Sequence, residues 1–230
     1  MTRAAKPCSL DTPPIRPVLE RLHAQARGDR LRFVTLVPRF VAGRLQGKSF
    51  SEIFTPKAMA ECFIPVDRAS GRFLYLAARA IGARQIVEFG TSFGISTVYL
   101  AAATHDNGGG RVIGTEIEPS KAERARANVR EAGLADQLEL RVGDARQTLE
   151  HIDAPVDLLF IDGWKDLYLP VLDLVLPRLR PGSVVIADNI FTFKRELRPY
   201  VERMQSGASG FDSMTVAIGQ GLEYSVRRST

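Results

Sequence analysis

Cysteine is scarce in this chain: only Cys8 and Cys62 occur, too few for a disulfide framework. No apolar run approaches the roughly 18 residues that a membrane helix needs. The N-terminal stretch MTRAAKPCSLDTPP has none of the apolar core of a secretory signal. Together these absences predict a reduced, cytoplasmic protein with no membrane contact. Histidine is equally thin. His23, His105 and His151 stand apart, without the spacing of a metal site, and read as surface or packing residues.

What is present is ordinary for a globular chain: 230 residues, 45% hydrophobic and 25% charged, enough for one large domain with an elaboration. The net charge of +5 would ordinarily direct attention to nucleic acid. Its distribution argues otherwise. Residues 1–60 carry 11 basic and 4 acidic side chains, so residues 61–230 are slightly acidic. The excess belongs to an N-terminal helical extension or lid over residues 1–60, ahead of a domain over 61–230. Within the extension, residues 1–14 read as a mobile tail, and two or three short helices are predicted between Ile15 and Gln46.

From Val66 the pattern alternates. Helical spacing over Val66 to Ile81 is followed by short β-branched runs at Gln85–Phe89, Arg111–Thr115, Leu138–Val142, Val156–Ile161 and Ser183–Ala187. Helical segments separate them, at Ile95–Thr104, Ser120–Ala132, Ala145–His151 and Asp166–Leu179. This is the pattern of an α/β, doubly wound parallel sheet. A helix at Lys194–Met204 and two further strands, Phe211–Ile218 and Leu222–Val226, close the chain as an antiparallel hairpin around Gly219-Gln220-Gly221, for seven strands in all.

The turn after the first strand, Glu88-Phe89-Gly90-Thr91-Ser92-Phe93-Gly94, has neither the spacing of a pyrophosphate-binding loop nor the lysine of a P-loop. Glu88 ahead of the first glycine would repel a pyrophosphate, which argues against a nicotinamide dehydrogenase. Glu116, at the end of the second strand, suits a pair of ribose hydroxyls. Asp144, after the third strand, suits an adenine. Each alone also reads as a solvated charge. Together they point to a nucleoside without phosphates and with a positive centre, S-adenosylmethionine.

The fourth and fifth strands end in Asp162 and in Asp188-Asn189. Either aspartate alone reads as a helix N-cap. The trio at adjacent strand ends supplies hard oxygen ligands for Mg²⁺ or another divalent cation. Lys165, three residues beyond Asp162, stands where a general base would act on a hydroxyl near that cation.

The segment Phe160-Ile161-Asp162-Gly163-Trp164-Lys165-Asp166-Leu167-Tyr168-Leu169-Pro170, with Ala187-Asp188-Asn189, resembles the metal-dependent class I O-methyltransferases of the catechol O-methyltransferase type. The resemblance spans roughly Phe54 to Arg227. It implies a Rossmann-like fold, S-adenosylmethionine as cofactor and a vicinal diol or phenolic small molecule as acceptor. It further implies a homodimer, Mg²⁺ on Asp162, Asp188 and Asn189, and Lys165 as the base. Val66, Glu88, Gly90, Ser96, Glu116, Ile117, Asp144, Ala145 and Asp162 would line the cofactor site. Lys165, Asn189 and Asp212 would face the acceptor. Gly163 replaces a histidine and Ala145 a serine of the catechol enzyme. The alternative is a metal-independent methyltransferase of the same class. No Asn-Pro-Pro-type tetrapeptide follows the fourth strand, so a nucleic-acid substrate is not expected.

Overall fold

The computed structural model describes residues 8–28, 38, 40–43, 45–48, 50–53 and 66–229. The helical spacing read over Leu31 to Val37, and Cys62, lie outside the described residues. Among the described residues, no helix is long and apolar enough to cross a membrane.

Strands β1 (Gln85–Phe89), β2 (Arg111–Glu116), β3 (Leu138–Val142), β4 (Val156–Ile161), β5 (Leu179–Ala187), β6 (Phe211–Val216) and β7 (Leu222–Arg227) form one sheet in the order β3-β2-β1-β4-β5-β7-β6. The first five are parallel, and β7 runs antiparallel to both β5 and β6. The strand order reverses beside β1. Connections leave β1 and β4 in opposite directions, which opens a crevice at their carboxyl ends.

The helices are α1 (Ile15–Gly28), α2 (Arg68–Ala80), α3 (Ile95–Asp106), α4 (Pro119–Glu131), the single turn α5 (Ala145–Thr148), α6 (Tyr168–Val175) and α7 (Arg198–Gln205). Alternate residues of β4 serve two cores: Leu158 and Phe160 face the side of α1 to α3, while Leu159 and Ile161 face α6 and α7. All six β4 residues are buried, as a central parallel strand requires. Each large apolar side chain there contributes roughly 1.5–3 kcal/mol. In α3, residues Ile95 to Thr104 are buried on every side, because α1 and α2 cover the face turned away from the sheet. Gly71 lets α2 approach closely: a side chain there would overlap the Tyr99 ring.

Several element boundaries differ from the sequence reading. Residues Cys8–Pro14, read as part of a mobile tail, include a short 3₁₀ turn, Ser9–Asp11. It buries Leu10, and the Ser9 hydroxyl donates to Asp106 at 2.7 Å. Ile15, Val18, Leu19 and Leu22 of α1 join the same core as the sheet. Helix α5 ends at Thr148 rather than His151: Glu150 N turns to the Gln147 carbonyl three residues back at 3.2 Å, and the Arg141 guanidinium takes the carbonyls of Thr148 and His151. Pro177 reduces the end of the next helix to a 3₁₀ turn. Strand β5 begins at Leu179, four residues early, through an irregular pairing with β4 that absorbs Pro181-Gly182. Helix α7 begins at Arg198, with Pro199 in its first turn, rather than at Lys194.

His23 packs into the core with its Nε2 3.0 Å from the Tyr99 hydroxyl. Burial first, then Arg68 and Arg27, lowers its pKa to about 4. The unfolded imidazole takes its proton near 6.5, so stability is full above that pH and falls as pH drops towards 4. The wild type is expected to lose on the order of 1 kcal/mol more than His23→Gln over that interval, a difference in melting temperature of about 2–4 °C. Parallel thermal melts from pH 7 to 4.5 measure it, and equal slopes would remove His23 as the cause.

Candidate active site

The crevice at the strand ends gathers most of the residues singled out in the sequence. Glu88 is fully buried on β1, and its Oε2 accepts from the hydroxyls of Thr91 at 2.8 Å and Thr97 at 2.6 Å. Its Oε1 has no hydrogen-bond partner among the described residues. Burial raises the carboxyl above its ordinary range, against the hydroxyls of Ser96, Thr97 and Thr91. A buried carboxylate oxygen without a donor is costly unless a ligand supplies one.

Gly90 follows with φ of 98°, and a side chain there would lie 2.8 Å from the Asp162 carbonyl and the Gly163 nitrogen. The glycine therefore lets the β1 and β4 turns touch. Asp162 N donates to the Phe89 carbonyl at 2.8 Å, and the Phe89 ring fills the space where a side chain on Gly163 would stand. A histidine cannot fit at Gly163 beside that ring in its present position.

On the β2 side, Glu116 accepts from Ser92 N at 2.7 Å through Oε2 and from Glu118 N at 2.9 Å through Oε1. Each oxygen keeps a further lone-pair direction, so ribose hydroxyls remain compatible with these two backbone contacts. Ile117 is partly exposed beside it, and Val66, Ser96 and Ala145 are buried. Asp144 caps α5 through Arg146 N and is paired with the Arg146 guanidinium, so its carboxylate is already engaged.

Asp162, Asp188 and Asn189 also converge. Asp188 N donates to the Ile161 carbonyl, which sets Asp188 beside Asp162 across the β4–β5 pair. Asn189 has a left-handed φ of 67°, a region that asparagine tolerates, and its N donates to Asp188 Oδ1 at 2.5 Å. Lys165 is turned inward, with 5% of its side chain exposed, against 9% for Asp162. Its Nζ donates to Asn189 Oδ1 at 2.5 Å and the Tyr168 hydroxyl at 2.9 Å, and lies 3.4 Å from Asp162 Oδ1. The Phe193 ring centre lies 5.4 Å from the same nitrogen.

Two buried carboxylates thus face one ammonium. Burial raises both aspartates, and Asp162 raises Asp188 further. Burial lowers Lys165 against the pull of Asp162 and Asp188. The cluster is short of positive charge, and its donors are hard oxygens, which fits a divalent cation. Among the described residues, no group of three or more His, Cys, Asp or Glu side chains is placed to hold a metal ion, and this cluster offers two carboxylates and an amide.

Asp212 is not part of this cluster. In the β6–β7 register it sits opposite Val226, which pairs with Val184, three residues short of the end of β5, whereas the site lies beyond Ala187. Its side chain is 78% exposed and faces Arg228 at 3.6 Å. A cleft of about 680 Å³ at the opposite, amino-terminal end of the strands is lined by Arg84, Arg111, Asp157 and Arg180. Arg180 pairs with Asp157 and Arg111 with Glu139, so that cleft is held by structural ion pairs.

Sequence reasoning gave no role to Tyr168 and did not anticipate Phe89 against Gly163. Tyr168 was detectable as the i+3 neighbour of Lys165 at a helix start. The Phe89 contact depends on tertiary approach and left no local signal.

A methyltransferase-domain family model matches residues 87–190, which run from Glu88 to Asn189 of this site. A catechol O-methyltransferase of Mycobacterium tuberculosis is 40% identical over 128 residues, covering 55% of this chain and 57% of that protein, little more than half its length. The catechol O-methyltransferase of Niastella koreensis is 32% identical over 186 residues, covering 77% of this chain and 83% of that protein. The crystal structure of an O-methyltransferase from Bacillus cereus in complex with SAH superposes with a TM-score of 0.67 at 28% identity, over 75% of this chain and 87% of that one. With its strand order and its Glu88-to-Asn189 crevice, the chain belongs to the class I, catechol O-methyltransferase-like family of S-adenosylmethionine-dependent O-methyltransferases.

Proposed function

We propose that the protein methylates one hydroxyl of a vicinal diphenol or similar small phenol, using S-adenosylmethionine and a divalent cation such as Mg²⁺. The observation that carries this reading is Asp162, with 9% of its side chain exposed, and the buried Asp188 and Asn189 grouped around the buried Lys165. The names of the mycobacterial and Niastella relatives support the acceptor class.

S-adenosylmethionine supplies the methyl group, and a cation on Asp162, Asp188 and Asn189 supplies charge stabilisation for the acceptor oxygens. Glu88 Oε1, left without a donor, and the two oxygens of Glu116 are the acceptors this chain offers to the cofactor. Gly90 leaves backbone rather than side chain at the narrowest point between β1 and β4. Lys165 Nζ takes the hydroxyl proton, and the buried setting excludes competing water. The helical turn Phe50–Ile53 lies against the Lys165–Leu167 turn, which supports the N-terminal segment as the acceptor-side cover.

The test is incubation of the purified protein with S-adenosylmethionine, catechol and Mg²⁺, with mass detection of a methyl gain. Methylation that a chelator abolishes and Mg²⁺ restores is the expected result. Full turnover in excess chelator would favour the metal-independent reading. Equal rates on monophenols and vicinal diphenols would overturn the acceptor class.

A further inference from the structure

We infer that Tyr168 is a positioning residue for the base: its hydroxyl fixes the Lys165 amine so that the remaining direction of Nζ faces the acceptor. This rests on the reading of Lys165 as the base. Tyr168 opens α6, three residues after Lys165, and is 1% exposed. A phenol carries one proton, and Tyr168 donates it to the main-chain carbonyl of Asp188 at 3.1 Å. Towards Lys165 its oxygen therefore only accepts, and it does so at 2.9 Å. Asn189 Oδ1 takes a second N–H at 2.5 Å.

An amine nitrogen has four tetrahedral directions. Cε occupies one, and the N–H bonds to Tyr168 and Asn189 occupy two. In the ammonium the fourth carries the N–H turned to Asp162 Oδ1; in the neutral amine the same direction carries the lone pair that receives the acceptor's proton. Asp162 Oδ1, at 3.4 Å, is the longest of the three contacts and leaves that direction the least constrained.

The phenol is itself held rigidly. Its ring meets Tyr200 edge-on, with centroids 5.7 Å apart and planes at 89°. Tyr200 is buried, and its own hydroxyl has no hydrogen-bond partner among the described residues, so it contributes shape and no hydrogen bond there. The carbonyl that orients Tyr168 belongs to Asp188, one of the proposed cation ligands. The hydroxyl thus ties the base to the strand end that presents the cation site.

The test is Tyr168→Phe, which keeps the ring and deletes only the hydroxyl. Its kcat is expected to fall about tenfold to hundredfold, the usual consequence of a misdirected reacting group. Acceptor KM and cofactor affinity should stay within about twofold, since those contacts are untouched. Tyr200→Phe deletes a hydroxyl that holds nothing, and should leave kcat unchanged. A Tyr168→Phe kcat within about twofold of wild type overturns the inference. So does a loss accompanied by a collapsed melting temperature and a matching rise in KM, which is the pattern of a purely structural role. Lys165→Met run alongside separates the two readings. If it retains turnover, the base assignment fails; if it is inactive while Tyr168→Phe is fully active, only the positioning role fails.

Discussion

Lys165→Met is expected to lower kcat by about 10²–10⁴-fold while leaving S-adenosylmethionine affinity near its wild-type value, because proton transfer by a placed base is worth that much and the cofactor contacts lie elsewhere. The second half of the expectation is electrostatic. Among the described residues, Lys165 supplies the one cationic group hydrogen-bonded to the Asp162, Asp188 and Asn189 cluster, where both carboxylates are already raised by burial. Removing the ammonium leaves those carboxylates facing one another in a dry site, and breaking such a pair commonly costs about 3–5 kcal/mol. A divalent cation relieves that repulsion. The variant should therefore melt lower than wild type without Mg²⁺ and gain more stability than wild type when Mg²⁺ is added. Thermal melts with and without the ion, beside single-turnover rates, read both quantities. Turnover within about tenfold of wild type would exclude the base, and an unchanged Mg²⁺ response would exclude the lysine as the cation's electrostatic neighbour.

The fold was legible where burial is uniform. β1 and β4 fall on the boundaries that their apolar runs predict, since a strand covered on both faces is largely apolar and ends where glycine or a polar pair begins. Boundaries set by distant contacts were not. The early start of β5 depends on Ser183, whose hydroxyl receives Arg180 N at 2.9 Å and donates to the Val156 carbonyl at 2.6 Å, so that Pro181-Gly182 is carried within the strand. The site divides in the same way. Glu88, Glu116, Asp162, Asp188 and Asn189 were readable because parallel topology sends every strand end to one rim. Asp212 was misplaced because a hairpin's position along the sheet is set by its pairing register, which neither composition nor periodicity contains.

That convergence makes Gly90→Ala the most damaging small substitution at the rim. The residue sits at φ of 98°, where an alanine is strained by roughly 1–3 kcal/mol before any contact is considered. Its Cβ would also lie 2.8 Å from three backbone atoms, the carbonyl carbon and oxygen of Asp162 and the nitrogen of Gly163. Backbone cannot rotate aside as a side chain can. The β4 turn must move, and it carries Asp162 with it, away from Lys165 and Asp188. The variant is expected to lose about 2–4 kcal/mol of stability and to weaken cofactor and Mg²⁺ binding together. Gly163→Ala offers the contrast, because the obstacle there is the Phe89 ring, a side chain with alternatives. Its defect should shrink when Phe89→Leu is added, whereas Gly90→Ala should not respond to that second change. Melting temperatures and calorimetric titrations of the two single and two double variants decide it. Rescue of Gly90→Ala by Phe89→Leu would mean that the ring, rather than the backbone contact, holds the β1 and β4 turns in register.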